Sequence, residues 1–162
     1  MAVDTLKDLY LAELQEARSF EAQVAKAAGE LAGRAGDPRL KQMLEGEGPD
    51  AARHGERLGA LLEGHGAQPG AHTDQTMQAI LSAARDWADG IADPAVRDAA
   101  LLASLQRVQH YEIAALGALA AWARQEGLPA DVETLQEILD EEKAADARLT
   151  ALAEDRLNAE AA

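Results

Sequence analysis

Two Asp-Pro dipeptides, Asp37-Pro38 and Asp93-Pro94, each head a long stretch whose apolar residues recur at helical spacing. Aspartate accepts the first free amides of a helix, and proline fits its first helical position. Each dipeptide therefore marks a helix start, and the ridges behind them fix the fold class. The first helix is expected at about residues 4–31, with Leu6, Leu9, Ala17, Phe20, Val24 and Leu31 as its ridge. Gly33 and Gly36 end it. The second opens at Asp37-Pro38, carries Leu40, Met43, Leu44, Leu58, Leu61 and Leu62, and stops in the loop GHGAQPGAH. A shorter helix is predicted over about 74–88, a long one from Asp93-Pro94 to Gly127, and a last one from near Pro129 past Leu152.

With aromatics at 3% and few β-branched residues, little is available to build a sheet. The chain reads as all-α and as a single domain over residues 1–162. Short links join the first pair of long helices and the last pair, and about thirty residues join the pairs, short helix included. Two antiparallel hairpins with one long crossover is the connectivity of a ferritin-like four-helix bundle.

No run of apolar residues is long enough to span a membrane, and the N-terminus lacks the pattern of a signal peptide. Cysteine is absent, which suits a cytoplasmic setting. A net charge of −14 disfavours nucleic acid as a partner and suits cations. A homodimer is the simplest assembly to expect.

Acids interrupt the ridges. Glu13 falls in the first stripe, Glu47 and His54 in the second with Asp50 beside them, Glu112 in the third and Glu142 in the fourth, with Asp146 one turn on. One buried carboxylate is costly, and several together need protons or a cation. Carboxylates with an imidazole suit iron, manganese or zinc. The bundle motif of two Glu-x-x-His copies is absent. Asp50 to His54 and Glu142 to Asp146 are the nearest substitutes. His110 points away from Glu112 and reads as an outer or interface residue; Glu141 reads as part of a solvated face. Tyr10 and Tyr111 read as packing residues or hydrogen-bond donors to inner carboxylates, and Trp87 and Trp122 as core or interface.

The stretch LEGEGPDAARH (44–54) carries two glycines and a proline, so a kink or bulge is expected at Pro49.

The segments DLYLAELQ, PAVRDAALLASLQRVQHYEIAALGALAAWA and LQEILDEEKAADARLTALAE resemble the YciE/YciF ferritin-like family, and the likeness covers most of the chain. The resemblance implies a two-hairpin bundle linked to bacterial stress responses and to ferroxidase-like chemistry with oxygen or peroxide. By position it implies a di-metal, di-iron site formed by Glu13, Asp50, His54, Glu112, Glu142 and Asp146. The family's second helix reads like HLEET, with His at the place of Glu47 and Glu at that of Asp50, so this chain departs from it there. A second reading is a non-enzymatic helical stress protein that acts through oligomerisation or a partner.

Overall fold

The computed structural model describes residues 3–70 and 72–161, the side chain of residue 156 excepted. Five long helices carry the fold: α1 (Leu6–Ala32), α2 (Pro38–Gly64), α3 (Gln75–Gly90), α4 (Pro94–Gln125) and α5 (Pro129–Leu152). A π-helical turn (Ala153–Leu157) and a short α6 (Asn158–Glu160) extend α5. The starts follow local chemistry. Thr5 and Asp8 cap the head of α1 reciprocally. Asp37 accepts from the amides of Arg39 and Leu40 at 2.8 and 3.1 Å, and Asp93 caps α4 in the same way. Gly66 and Gly127, at φ 71° and 69°, turn the chain out of α2 and α4 in the left-handed region that glycine tolerates.

α1 packs closely on α2, and α4 on α5; α3 lies on the crossover against α4 and α1. Tyr10, Leu14 and Phe20 of α1 meet Leu58, Leu62, Leu116, Leu119, Leu135 and Ile138 in one continuous core. Asp98 of α4 accepts the amides of Gly36 and Asp37 at 2.8 and 2.7 Å, which ties the α1–α2 turn to the second hairpin. At the other end Tyr10 donates to Asp131 at 2.7 Å, and His65 lies 2.6 Å from the same oxygen. Trp87 is exposed on α3 and Trp122 is half-buried on α4.

α2 runs through Pro49 as one continuous helix. Pro49 sits on the exposed face, and the carbonyl it cannot serve belongs to Glu45, also exposed, where water can substitute. Gly48 has a packing reason. A Cβ there would stand 3.3 Å from the Ala25 carbonyl oxygen and 3.6 Å from Ala28 Cβ, so glycine lets α1 and α2 approach closely.

Candidate metal centre

All four bundle helices send a carboxylate inward at one height. Glu21 of α1 follows Phe20 and lies between Ala17 and Val24, on the core face. Gly55 of α2 faces it, where a Cβ would stand in ordinary contact 3.5 Å from Glu21 Cβ. Glu47 and His54, seven residues apart on α2, share a face. Glu112 stands between Val108 and Leu116 on α4, and Glu142 follows Leu139 on α5.

These side chains form two overlapping groups, Glu21–His54–Glu142 and Glu47–Glu112–Glu142. Within each group one donor atom per residue lies within 4.8 Å of the others, and Glu142 belongs to both. His54 Nδ1 is 2.8 Å from Glu142 Oε1 and 3.6 Å from Glu21 Oε1. Its Nε2 is 3.0 Å from Glu141 Oε2, and Glu141 is held in turn by Arg53 at 2.6 Å and Arg57 at 3.4 Å. Gln109, fully buried, donates from Nε2 to Glu47 Oε1 at 2.7 Å.

Glu21 and Glu112 are both 0% exposed, and neither oxygen of either carboxylate has a hydrogen-bond partner. A buried carboxylate without partners is among the costliest arrangements in a protein interior. The electrostatics report the same strain. Burial pushes Glu21 up to about 7, with the His54 imidazole 3.6 Å away opposing the rise and Glu142 adding repulsion. Burial, then Glu142 and Glu21, pushes Glu47 up to about 8. Burial, then Glu21, Glu142 and Glu47, holds Glu112 well above the ordinary carboxylate value. For His54 burial acts downward, but Glu142 at 2.8 Å and the Glu21 carboxylate at 3.6 Å prevail and raise it to about 10. The donor set fits hard or borderline cations: four carboxylates and one imidazole. Two divalent ions would neutralise the four carboxylates, with His54 neutral and ligating.

Of the residues expected from the sequence, Glu47, His54, Glu112 and Glu142 come together, and Glu13, Asp50 and Asp146 do not join them. Glu13 is half-buried near Glu16 and Asp74; burial first, then these two charges, raises its carboxyl. It lies eight residues, about 12 Å of helix, from Glu21. Asp50 is exposed and paired with Arg53 at 2.7 Å. Asp146 turns toward exposed His110, whose Nε2 is 3.2 Å away. Tyr10 serves Asp131 rather than Glu13, and Tyr111 donates to Asp74 at 2.6 Å. Three members were not expected: Glu21, Gln109 and Glu141. Glu21 carried a signal, four residues after Ala17 and three before Val24 on the ridge. Glu141 carried none, because only the fold brings it to His54.

The centre meets the surface along the seam between α2 and α5. A cleft of about 230 Å³ is bounded by Asp50, His54, Glu141, Glu142 and Arg148 among others. A larger groove of about 820 Å³ continues along the same seam and has Glu47 in its wall.

The family model described as "Domain of unknown function (DUF892)" matches residues 5–162. Protein YciF of Escherichia coli (strain K12) is 32% identical over 162 residues, covering 99% of this chain and 98% of that protein. The crystal structure of the E. coli stress protein YciF superposes with a TM-score of 0.91 at 31% identity, covering 96% and 99% of the two chains. YcfI of Rhodopseudomonas palustris gives 0.87 at 34% identity, covering 91% and 94%. A two-domain Anabaena variabilis protein with DJ-1/ThiJ/PfpI-like and ferritin-like domains gives 0.69 at 19% identity, over 96% of this chain and 39% of that one, a likeness of fold alone. With a matching bundle, near-complete coverage and about a third of its residues shared with YciF, the chain belongs to the DUF892 family and has its ferritin-like, all-α fold.

Proposed function

We propose that this protein is a di-metal carboxylate protein, most suited to iron, that oxidises iron(II) with oxygen or peroxide as part of a bacterial stress response. The observation that carries this reading is the pair Glu21 and Glu112, fully buried with none of their four oxygens hydrogen-bonded, facing Glu47, His54 and Glu142. Cations would answer the electrostatic demand of that cluster. When bound, a pair of iron ions would supply the electrons that reduce oxygen or peroxide. Glu142 would reach both metal positions, Glu21 and His54 would complete one, and Glu47 and Glu112 the other. Glu141, fixed by Arg53 and Arg57, would accept a hydrogen bond from His54 Nε2–H and leave the bare Nδ1 to ligate. The stress link comes from the relative named as a stress protein. A cytoplasmic homodimer is the setting proposed for it.

The test is elemental analysis of protein expressed in iron-rich medium, beside the Glu112→Ala, Glu142→Ala double variant. About two iron or manganese ions per chain, lost in a variant that stays helical, would support a working centre and justify oxidation assays. No metal in either protein would overturn the reading and favour a helical stress protein that acts through a partner.

A further inference from the structure

The groove between α2 and α5 is far larger than access for metal ions, oxygen or peroxide requires. At about 820 Å³ it falls in the range of small-molecule sites, and its wall is mostly apolar, formed by Met43 and the edges of the core residues Leu105, Leu149 and Leu152. α2 and α5 run antiparallel, since Arg53 meets Glu141 and Arg39 meets Asp155. That register puts Arg148 level with Gly46 and Glu47. The groove therefore extends from Asp50 and Glu47, where it borders the metal centre, to the Arg39–Asp155 pair, about 16 Å along α2.

Its charges are almost all matched. Asp155 is paired with Arg39 at 3.1 Å, and Asp50 with Arg53 at 2.7 Å. Glu47 is held by Gln109 and belongs to the metal cluster. Arg148 lines both the groove and the cleft over the centre, and among the described residues it has no ion-pair partner. One unmatched guanidinium above an apolar trough, in a chain of net charge −14, selects a small anion with an apolar tail.

Gly46 supplies an independent observation. It lies inside α2, where glycine costs about 1 kcal/mol relative to alanine. Unlike Gly48, it has no packing reason: a Cβ there would meet nothing within 4 Å. It lines the groove, and the missing side chain keeps that space free.

We propose that the α2–α5 groove binds a medium-chain organic carboxylate, with the carboxylate on Arg148 beside the metal centre and the tail along Met43, Leu149 and Leu152. The inference adds an organic ligand beside the centre proposed above and rests on that reading for its chemical meaning. The binding itself needs no metal.

The experiment is calorimetric titration of the full metal-free chain with decanoate, with decylammonium as the cation of equal length, and with oligomeric state followed by light scattering. Saturable binding of one decanoate per chain, with decylammonium excluded, is expected. Arg148→Glu should weaken it at least about tenfold by setting like charges together. Gly46→Leu should also abolish it while raising thermal stability, since its side chain fills the trough. Decanoate binding that ignores both Arg148→Glu and Gly46→Leu would overturn the proposal, as would equal binding of decylammonium. A dimer that Gly46→Leu dissociates, with no decanoate bound by the wild-type chain, would overturn it too and assign the groove to a second copy. Failure of metal to bind while decanoate binds as described would remove the di-metal reading and leave the groove standing. Metal binding without decanoate would do the reverse.

Discussion

His54 is held from both ends by carboxylates of the same helix. Glu142 approaches Nδ1 at 2.8 Å, and Glu141 approaches Nε2 at 3.0 Å. Adjacent residues on a helix point about 100° apart, so the imidazole ring fits between neighbours that diverge, one inward and one toward solvent. The outer contact sets the tautomer needed for ligation at Nδ1. Its partner is fixed too: the hydrogen bond to His54, then those to Arg53, hold Glu141 below the ordinary carboxylate range despite a contribution from burial. Glu141→Ala should therefore leave the helices intact and weaken metal binding at the His54 side by about 10–100-fold, the usual cost of losing an outer partner of a histidine ligand. A chelator-competition titration with manganese, beside circular dichroism, measures this. Unchanged affinity would mean that packing alone orients the ring. The residue scale also shows where sequence reading fails. Asp50 and His54 have a plausible ligand spacing, yet Asp50 finds Arg53 one turn away and turns outward. No periodicity reveals that competition.

For the helices, much was legible. The Asp-Pro starts, the glycine stops and the ridges gave every long helix to within a few residues, because capping is local chemistry. The connectivity followed from link lengths alone. Height was harder to read. Periodicity gives the angle at which a residue faces, whereas the level at which helices meet is set by how the turn between them closes. His54 meets Glu21, and a Cβ at Gly59 would lie 3.8 Å from Arg18, so Glu13 stands near the level of Leu62, above the centre. Choosing Glu21 over Glu13 required that register. At Pro49 the cost to the helix is legible in the sequence, and the solvent exposure that lowers it is not. Since α2 is already continuous there, Pro49→Ala should restore one backbone hydrogen bond and raise stability by about 1–3 kcal/mol, less any gain in unfolded-state entropy. Urea denaturation of the metal-free chain checks it. A lower midpoint would mean that the missing bond at Glu45 relieves strain that the structure otherwise stores.

Across the whole molecule, the centre couples folding to protons and to metal. In the metal-free protein Glu21 titrates near 7 and Glu47 near 8, Glu112 well above its ordinary 4.5, and His54 near 10 rather than 6.5. Each group binds its proton more tightly folded than unfolded. The carboxyl contributions are thus fully present below about pH 4.5 and are lost as pH rises through 7–8; that of His54 is present below 6.5 and lost on approach to 10. All have one sign, so the metal-free chain should lose stability steadily between pH 6 and pH 9, as the buried acids ionise without counter-charge. Glu47→Gln should flatten that slope, because the amide stays neutral and can still take the Gln109 hydrogen bond. Metal reverses the dependence: ligation needs ionised carboxylates and neutral His54, so the stabilisation that manganese provides should grow over the same range. Thermal melts at fixed ionic strength, with and without manganese, should therefore converge toward pH 6 and separate toward pH 9. A metal-free protein as stable at pH 9 as at pH 6 would mean that the five side chains relax apart in solution, and that the cluster is not held by the fold.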